Sequence, residues 1–275
     1  MFTGGHQREI ADRFNAVADA REYPPLGFFP RCARRLVELA GVRSGERVLD
    51  VGTGSGDVAI CAAARVGPMG MVVGVDIAEV MLERARHKIS AGGLTNVELR
   101  HIDAADLPFG DMTFDVVTAG FTVLFLPDVV AGLREWRRVV TTGGRVALTL
   151  YGANAFEPFY ALYRARLDAY GVELPADDGF PGGRRLVDPE RLRDLLRASG
   201  LDPIDIETEQ HGFELSEAAV WWDMLRHLSF GSFLSRLPPA ARTGFQAEHI
   251  AEVDAIARNG CVMLPIPVIF AVGRA

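Results

Sequence analysis

Residues 48–60 read VLDVGTGSGDVAI, with three glycines in five positions between two apolar runs. A strand, a glycine turn and a helix N-terminus make a site for an anionic or polar ligand, because glycine lets the ligand approach the backbone and the helix N–H groups point at it. The G-x-G-x-G spacing differs from the dinucleotide fingerprint G-x-G-x-x-G, since Asp57 and Ala59 stand where its third glycine would be needed. A P-loop does not fit either, because no Gly-Lys-Ser/Thr follows the glycines.

Short apolar strands alternate with helices over the first part of the chain, which predicts a parallel sheet with crossover connections. The strand sequences are β-branched and apolar on both faces, as in a sheet that is covered on both sides. We expect Asp57 to cap the helix that follows the glycine turn. The predicted strands are 46–52, 71–77, 96–103, 114–120 and 145–151, and the predicted helices are 31–40, 57–65, 79–91 and 128–140.

The chain after Gly152 departs from this alternation and carries long helical and aromatic segments. The apolar segment 268–273 is expected to close the sheet. The other predictions for this part are an aromatic-rich helix at 156–170, a helix at 188–200 with Asp188 as its N-cap, a strand at 204–209 and a helical insertion at 216–260 that Pro238-Pro239 interrupts.

The charge pattern limits the partners that this chain can have. The net charge is −7, whereas nucleic-acid binders usually show a basic excess. Arginines at 31–35 and 134–138 have helical spacing and are interpreted as solvated helix faces. The polar N-terminus lacks a signal-peptide core, and no apolar run reaches the roughly 18 residues of a membrane helix. We therefore expect a cytoplasmic protein without a nucleic-acid or membrane partner; the oligomeric state is not readable.

The cysteines and histidines do not form a recognisable metal site. Cys32, Cys61 and Cys261 lie far apart and include no C-x-x-C pair, which argues against a disulfide framework or a zinc site and favours a reducing compartment. The six histidines do not pair at H-x-H or H-x-x-x-H spacing with nearby acids. No metal is therefore expected.

The spacing Asp50-x-Gly52-x-Gly54-x-Gly56 resembles the first motif of class I S-adenosylmethionine-dependent methyltransferases. Four further features follow in the order of that family. One of them, the run LPFGDMTFDVV, is similar to the corresponding run in methyltransferases of ubiquinone and menaquinone synthesis. All of the features together resemble those of small-molecule natural-product methyltransferases. The four features are Asp76 at the end of the second strand, Asp103-Ala104 at the end of the third, LPFGDMTFDVV leading into the fourth, and LREWRRVVTTGGRVAL from a helix into the fifth.

The resemblance implies an α/β fold with a doubly wound, Rossmann-like sheet of seven mostly parallel strands and helical lid insertions. It covers roughly residues 30–152 and is weaker beyond them. The expected organisation is one S-adenosylmethionine-binding domain over 1–275, with an N-terminal helical lid at 1–40 and helical cap insertions at 153–185 and 212–262.

The resemblance also implies that S-adenosylmethionine is the cofactor. The glycine-loop amides and the end of the fourth strand near Gly120 would hold its methionine part, and Asp76 would accept the ribose hydroxyls. Two roles stay open for Asp50, which either holds the loop or touches the ligand, and for Met81, which lies under the adenine or in the core. The cofactor-binding residues implied are Asp50, Gly52, Thr53, Gly54, Gly56, Asp76, Ile77, Met81, Asp103, Ala104, Gly120, Phe121 and, from the N-terminal lid, Tyr23.

A methyl acceptor with a hydroxyl or acidic carbon needs a base to remove its proton. Related small-molecule methyltransferases often carry histidine just before a Pro-Asp pair after the fourth strand. In this chain Leu124 and Phe125 stand there, so that the usual base position is empty. The candidates for a catalytic role are Tyr151, at the end of the fifth strand, and His211, after the sixth.

Much of the apolar and aromatic cluster at 221–234 is expected to be core, and the alternative is a helical lid that encloses a large apolar cavity. We therefore expect a methyltransferase that acts on a bulky hydrophobic small molecule, such as a quinone, polyketide or terpenoid, with C- and O-methylation both open. One alternative is a cyclase or isomerase of the same fold that keeps S-adenosylmethionine as a structural ligand. Another is a non-catalytic protein that binds S-adenosylmethionine, since a fold does not fix a function.

Overall fold

The computed structural model describes residues 5–18, 27–174, 186–256 and 262–275. Over the first part of the chain, strands and helices alternate as the sequence predicts. The elements are α1 (Gly5–Ala18), α2 (Phe28–Leu39), β1 (Arg47–Val51), α3 (Asp57–Val66), β2 (Met71–Asp76), α4 (Glu79–Ala91), β3 (Val97–His101), β4 (Phe114–Gly120), α5 (Val129–Val139) and β5 (Val140–Tyr151).

Helices and two short strands surround the last two sheet strands in the second part. Short 3₁₀ segments lie at Val123–Phe125, Ser229–Arg236 and Pro239–Ala241. The remaining elements are α6 (Phe159–Ala169), α7 (Pro189–Ala198), β6 (Ile204–Gln210), β7 (Phe213–Leu215), α8 (Ala218–His227), α9 (Arg242–Ala255), β8 (Val262–Leu264) and β9 (Pro267–Arg274).

The central sheet has seven strands in the order β3-β2-β1-β4-β5-β9-β6. The first five are parallel, and β9 runs antiparallel between β5 and β6. The Rossmann-like, mostly parallel sheet is thereby confirmed. The expectation that 268–273 closes the sheet is wrong, because that strand is internal and β6 forms the edge. The reason lies in composition: PVIFAVGR buries its apolar run between two strands, whereas IDIETEQ carries acids that suit a solvated edge.

Alternate residues of each central strand supply two separate cores. Val48 of β1 lies beside Val72 of β2, and both belong to the core that also contains α2 and α3. Leu49 lies beside Val73, and both belong to the core that contains α5 and α7. This alternation follows from the period of two in a strand, and it explains why the central strands are apolar on both faces.

The edge strands depart from that pattern. Along β3 the side chains are half-buried or exposed, and along β6 only the first residue, Ile204, is buried. The expectation of strands apolar on both faces is therefore wrong at the two edges. Each of these strands has one neighbour, and its charged residues meet water.

Several predicted boundaries also change. The predicted insertion at 216–260 consists of α8, two 3₁₀ segments and α9, which are together called the cap below. Next to it in the chain, β7 pairs antiparallel with β8, and the sequence did not predict this pairing. The fifth strand begins at Val140, five residues before its predicted start at 145, and the aromatic helix begins at Phe159. Asp188 caps α7 as predicted, because its carboxylate accepts a hydrogen bond from the Glu190 N–H.

Candidate active site

The glycine loop between β1 and α3 is held in left-handed backbone conformations. Gly52, Gly54 and Gly56 have φ values of 64°, 53° and 85°. At Gly52 a Cβ atom would lie 2.2 Å from Thr122 Oγ1, so that this position has no room for a side chain. The Thr122 hydroxyl donates to the Val51 carbonyl at 3.0 Å and thereby joins the loop to the segment after β4. Gly52 and Gly54 line a large cavity above the strand ends.

Gly56 is the N-cap of α3 and does not line the cavity. The prediction that Asp57 caps this helix is wrong. Asp57 lies in the first turn, where its carboxylate accepts from the Ser55 hydroxyl at 3.1 Å and from Lys88 Nζ at 3.1 Å. A glycine takes the cap position because the chain turns there through a positive φ that an aspartate would rarely adopt.

Asp50 is fully buried behind the loop and does not line the cavity. Its carboxylate accepts from Thr53 Oγ1 at 2.6 Å and from Thr118 Oγ1 at 2.9 Å. Burial raises the pKa of this carboxyl to about 7, and the two hydroxyls act in the opposite direction. Of the two roles left open for Asp50, the geometry supports holding the loop, and ligand contacts by Asp50 and Gly56 stay predictions.

Asp76, at the end of β2, does line the cavity. Its two oxygens accept from Gly54 N and Ala78 N, each at 2.8 Å. Burial raises the pKa of this carboxyl, and the backbone N–H groups oppose the rise. An ionised carboxylate offers about four acceptor positions, so that a ligand's hydroxyl groups can be bound as well.

The glycine loop forms a first wall of the cavity, and residues at the ends of β2 and β3, together with Met81, form a second wall. Asp103 lies on the cavity, and its carboxylate accepts from Ala105 N at 2.9 Å. Met81 of α4 is buried and also touches the cavity, so that its two proposed roles, in the core and under a ligand, are compatible. The residues of this wall are Asp76, Ile77, Met81, Ile102, Asp103 and Ala104.

Helix α1 lies across the cavity and supplies part of its lining. The Phe14 ring meets the Phe125 ring edge-on, with centroids 5.0 Å apart. Asn15 Oδ1 accepts from Val80 N at 3.3 Å, and His6 Nε2 lies 3.0 Å from the Phe125 carbonyl oxygen. The lining residues of α1 are His6, Gln7, Ile10 and Phe14.

An aromatic wall stands where β4 and β5 end. The Phe121 ring lies 4.6 Å from the Tyr151 ring and 5.6 Å from the Phe29 ring, centroid to centroid. Phe121 has a φ of 55°, and its N–H donates to Thr149 Oγ1 at 3.1 Å. Together with buried Leu228 of the cap these residues line one side of the cavity, which is partly open to solvent.

A sequence profile described as the ubiE/COQ5 methyltransferase family matches residues 28–172. The chain belongs to this family. A relative similar over its whole length is the nocamycin O-methyltransferase of Saccharothrix syringae, which is 31% identical over 96% of this chain and 97% of its own. The aklanonic acid methyltransferase DauC of Streptomyces sp. strain C5 is 36% identical over 58% of this chain and 73% of its own.

A solved structure supports the fold of this methyltransferase independently. BH2331 from Bacillus halodurans C-125 superposes with a TM-score of 0.58 over 88% of this chain and 97% of its own, at 23% identity. At that identity the likeness is one of fold. Membership of the family confirms that the protein is an S-adenosylmethionine-dependent methyltransferase, as the order of its motifs indicates.

The cavity of the methyltransferase fits its methyl donor. The half-buried Asp76 carboxylate lies on the cavity and has acceptor positions that suit a ribose diol. Gly52 and Gly54 line the same cavity with backbone atoms only, so that the amino-acid end of a cofactor has room to approach the loop closely. When bound, S-adenosylmethionine supplies an electrophilic methyl group.

The two residues predicted to be catalytic have different positions. Tyr151 lines the cavity. His211 is absent from the described lining, and its Nε2 lies 3.0 Å from Glu209 Oε2. Arg35 Nε donates to the same carboxylate at 2.6 Å. His211 therefore belongs to a charged cluster with Arg35 of α2 and Glu209 of β6, and a catalytic role for it stays a prediction.

Tyr23 and Cys261 lie outside the described residues. Cys32 is buried and reaches the cavity, and Cys61 is half-buried. Among the described residues no group of three or more His, Cys, Asp or Glu side chains could hold a metal ion. No helix in the described ranges is long and apolar enough to cross a membrane.

Several lining residues were not singled out from the sequence. They come from α1, from the start of α2 and from β5, which are distant in the chain, so that no local motif links them. The amphipathic pattern of α1 is a weak signal for a helix that covers something, but it does not say what. These residues are His6, Gln7, Ile10, Phe14, Phe29, Cys32 and Thr149.

Proposed function

We propose that this methyltransferase transfers a methyl group to a hydroxyl oxygen of a bulky, hydrophobic small molecule. The observation that carries this proposal is the aromatic wall of Phe29, Phe121 and Tyr151, which continues into the apolar lining from α1 and the cap. A cavity with apolar walls and few polar groups favours a hydrophobic ligand. The O-methyltransferase name of the full-length relative supports oxygen as the acceptor atom.

We further propose which residues hold the cofactor. Backbone groups of Gly52, Thr53 and Gly54 would bind the methionine part, together with Gly120 and Phe121 at the end of β4. The Asp76 carboxylate would accept the ribose hydroxyls. The adenine would lie in the second wall, formed by Ile77, Met81, Asp103 and Ala104. The support for this assignment is that all of these residues line one cavity.

Catalysis would come mainly from alignment. Methyl transfer is an in-line displacement, and holding the acceptor oxygen aligned with the methyl group in the cavity lowers the barrier. The cap residue Leu228 and helix α1 would exclude water from this space. The cytoplasmic location and the absence of nucleic-acid partners remain predictions from composition.

The test combines binding and turnover. Methyl-labelled S-adenosylmethionine would be incubated with a hydroxyanthraquinone, a hydroxynaphthoquinone and a phenolic terpenoid, with catechol and glycine as hydrophilic controls, and products would be identified by mass spectrometry. We expect a labelled methyl ether from at least one hydrophobic acceptor. Label found only in the hydrophilic controls would contradict the proposal, and an acceptor rearranged without loss of the methyl donor would favour the cyclase alternative.

The cofactor assignment has its own test. Asp76→Ala removes the carboxylate and should weaken S-adenosylhomocysteine binding by at least about tenfold, as expected for loss of a hydrogen bond to a charged group. Glu83→Gln, on the exposed face of α4, is the matched control and should bind as the wild type does. Equal affinity of all three proteins in calorimetric titration would overturn the assignment of Asp76.

A further inference from the structure

We propose that His6, on helix α1, is the general base of the reaction and that its Nδ1 removes the proton from the acceptor hydroxyl. This inference rests on the proposed function, because it requires an acceptor that is protonated before transfer. It assigns a catalytic role to the N-terminal helix, which none of the motifs of the sequence includes.

The hydrogen bond of the His6 ring defines its protonation pattern. Nε2 lies 3.0 Å from the carbonyl oxygen of Phe125. A carbonyl oxygen only accepts hydrogen bonds, so that Nε2 must carry the hydrogen. In a neutral imidazole the other nitrogen, Nδ1, then has a free lone pair, which is the form that a general base needs.

The position of the ring is equally specific. His6 is half-buried and lines the cavity next to the segment that follows β4. That segment contains Leu124 and Phe125, where histidine is absent from the sequence. Helix α1 thus brings an imidazole from 119 residues away to the same part of the cavity.

Helix α1 is fixed well enough to position a base. The Phe14 ring packs against the ring of Phe125, whose carbonyl holds His6, and Asn15 accepts from the Val80 N–H. The attachment at His6 and the attachment at Phe14 and Asn15 are therefore about two helical turns apart. An orienting hydrogen bond on one ring nitrogen fixes the ring and leaves the other nitrogen available, as in catalytic bases that a third group orients.

The other titratable groups on the cavity suit the role less well. The carboxylates of Asp57, Asp76 and Asp103 accept hydrogen bonds from the protein itself. Tyr151 is a phenol and is a donor at neutral pH. Burial raises the pKa of the Cys32 thiol to about 12, which keeps it protonated.

The chemistry balances without a further reagent. The acceptor oxygen forms a bond to the methyl carbon while the carbon–sulfur bond breaks, and its electron pair stays on sulfur as S-adenosylhomocysteine. The hydroxyl proton passes to His6 Nδ1 and is released to solvent after the methylated product leaves. No electrons are gained or lost by the protein.

The decisive variants are His6→Gln and His6→Ala. Glutamine keeps an N–H group that can donate to the Phe125 carbonyl but has no basic nitrogen, whereas alanine removes both. We expect kcat to fall by about 10²-fold or more in both variants, with KM and S-adenosylhomocysteine affinity changed less than about threefold. His87→Gln, at an exposed position of α4, is the control and should retain wild-type kcat.

A base is needed only while the acceptor is protonated. For the hydroxylated acceptor that gives most product, raising the pH above the acceptor's own pKa should therefore restore much of the His6→Gln rate. Full activity of His6→Gln together with reduced activity of His6→Ala would mean that His6 only fastens the helix, and the proposal would be wrong. A loss that pH does not relieve would also count against it.

A second measurement does not depend on an acceptor. In protein labelled with ¹⁵N-histidine, the two ring nitrogens of His6 can be distinguished by NMR, with His6→Gln providing the assignment. In the neutral ring we expect the hydrogen on Nε2 and none on Nδ1, with and without S-adenosylhomocysteine. Hydrogen on Nδ1 would overturn the inference. Absence of product with every acceptor would instead count against the proposed function, so that the two failures are distinguishable.

Discussion

Single residues determine the shape of the glycine loop. Gly52 is required twice, because its φ of 64° is unfavourable for other residues and because Thr122 occupies the space of a side chain. Asp50 holds the loop from behind through the hydroxyls of Thr53 and Thr118. At this scale the shape of the loop also depends on groups behind the cavity wall, such as Asp50 and Thr118, which are not among its lining residues.

Gly52→Ala should separate these two requirements when it is compared with Gly93→Ala. Gly93 has the same φ of 64°, but a Cβ atom there would meet nothing within 4 Å. We expect Gly93→Ala to cost about 1 kcal/mol of unfolding free energy and Gly52→Ala to cost roughly 3 kcal/mol, since overpacking adds to backbone strain. Denaturant titration measures both values. Equal costs would show that Thr122 moves aside freely.

The pH dependence of Asp50 is a second test at this scale. Its folded pKa of about 7 lies above the usual value of 3.8, so that the folded state binds more protons between these values. This group therefore reduces stability as pH rises through that window, by at most about 1.4 kcal/mol per pH unit. Relative to the wild type, Asp50→Asn should become more stable as pH rises from 5 to 8. A difference independent of pH would contradict the assignment.

At the scale of elements, helices of the cap and of the N-terminus complete a cavity that the sheet leaves open. In the cap, α8 and α9 pack together with α6 around aromatic rings and the fully buried His249, whose Nε2 accepts from Trp221 Nε1 at 2.9 Å. Burial lowers the pKa of His249 to about 4, and neighbouring Glu252 opposes this while Arg166 adds to it. The cap thus contains an imidazole that stays neutral when folded.

The cap should lose stability in mild acid for this reason. Below its unfolded pKa of 6.5, His249 binds protons more readily in the unfolded state, so that folding weakens as pH falls towards 4. From pH 8 to pH 5 the wild type should lose roughly 2 kcal/mol more than His249→Gln, whose amide oxygen can still accept from Trp221. Chemical unfolding followed by tryptophan fluorescence measures the difference. Parallel pH curves for both proteins would disprove the effect.

At the scale of the whole molecule, the cavity combines residues from α1, the loop after β1, the ends of β2 to β5 and the cap. A ligand that binds there links parts of the chain that are otherwise joined mainly through the sheet. Binding to the folded state alone adds free energy of unfolding by mass action.

S-adenosylhomocysteine should therefore stabilise the whole methyltransferase. At about 100 times its Kd it should add roughly 2.7 kcal/mol and raise Tm by about 5–10 °C. NAD at the same concentration should leave Tm unchanged, because the glycine spacing does not match the dinucleotide fingerprint. Thermal unfolding by scanning calorimetry reports both. A similar shift with NAD would mean that the loop does not select between the two cofactors.

The sequence alone determined the sheet, the glycine loop and the carboxylate at Asp76, because periodicity and motif spacing are local properties that survive in a linear string. Asp76 and Gly54 are 22 residues apart, yet both follow predicted strands, so that their meeting follows from the parallel order. The strand order at the edges was harder to predict, because it also depends on pairing between distant segments of the chain, to which composition is only a partial guide. For that reason β9 was misplaced and β7 and β8 were missed.

Only the tertiary structure decided which polar groups face the cavity. Asp50 and Asp76 both lie near the ends of predicted strands, but Asp50 is fully buried away from the cavity and Asp76 lines it. His211 was closer than His6 to a predicted strand, yet it pairs with Glu209, whereas His6 lies on the cavity wall. The physical reason is that the direction of a side chain and the docking of a distant helix depend on packing between remote segments. The spacing of residues along the chain does not encode that packing.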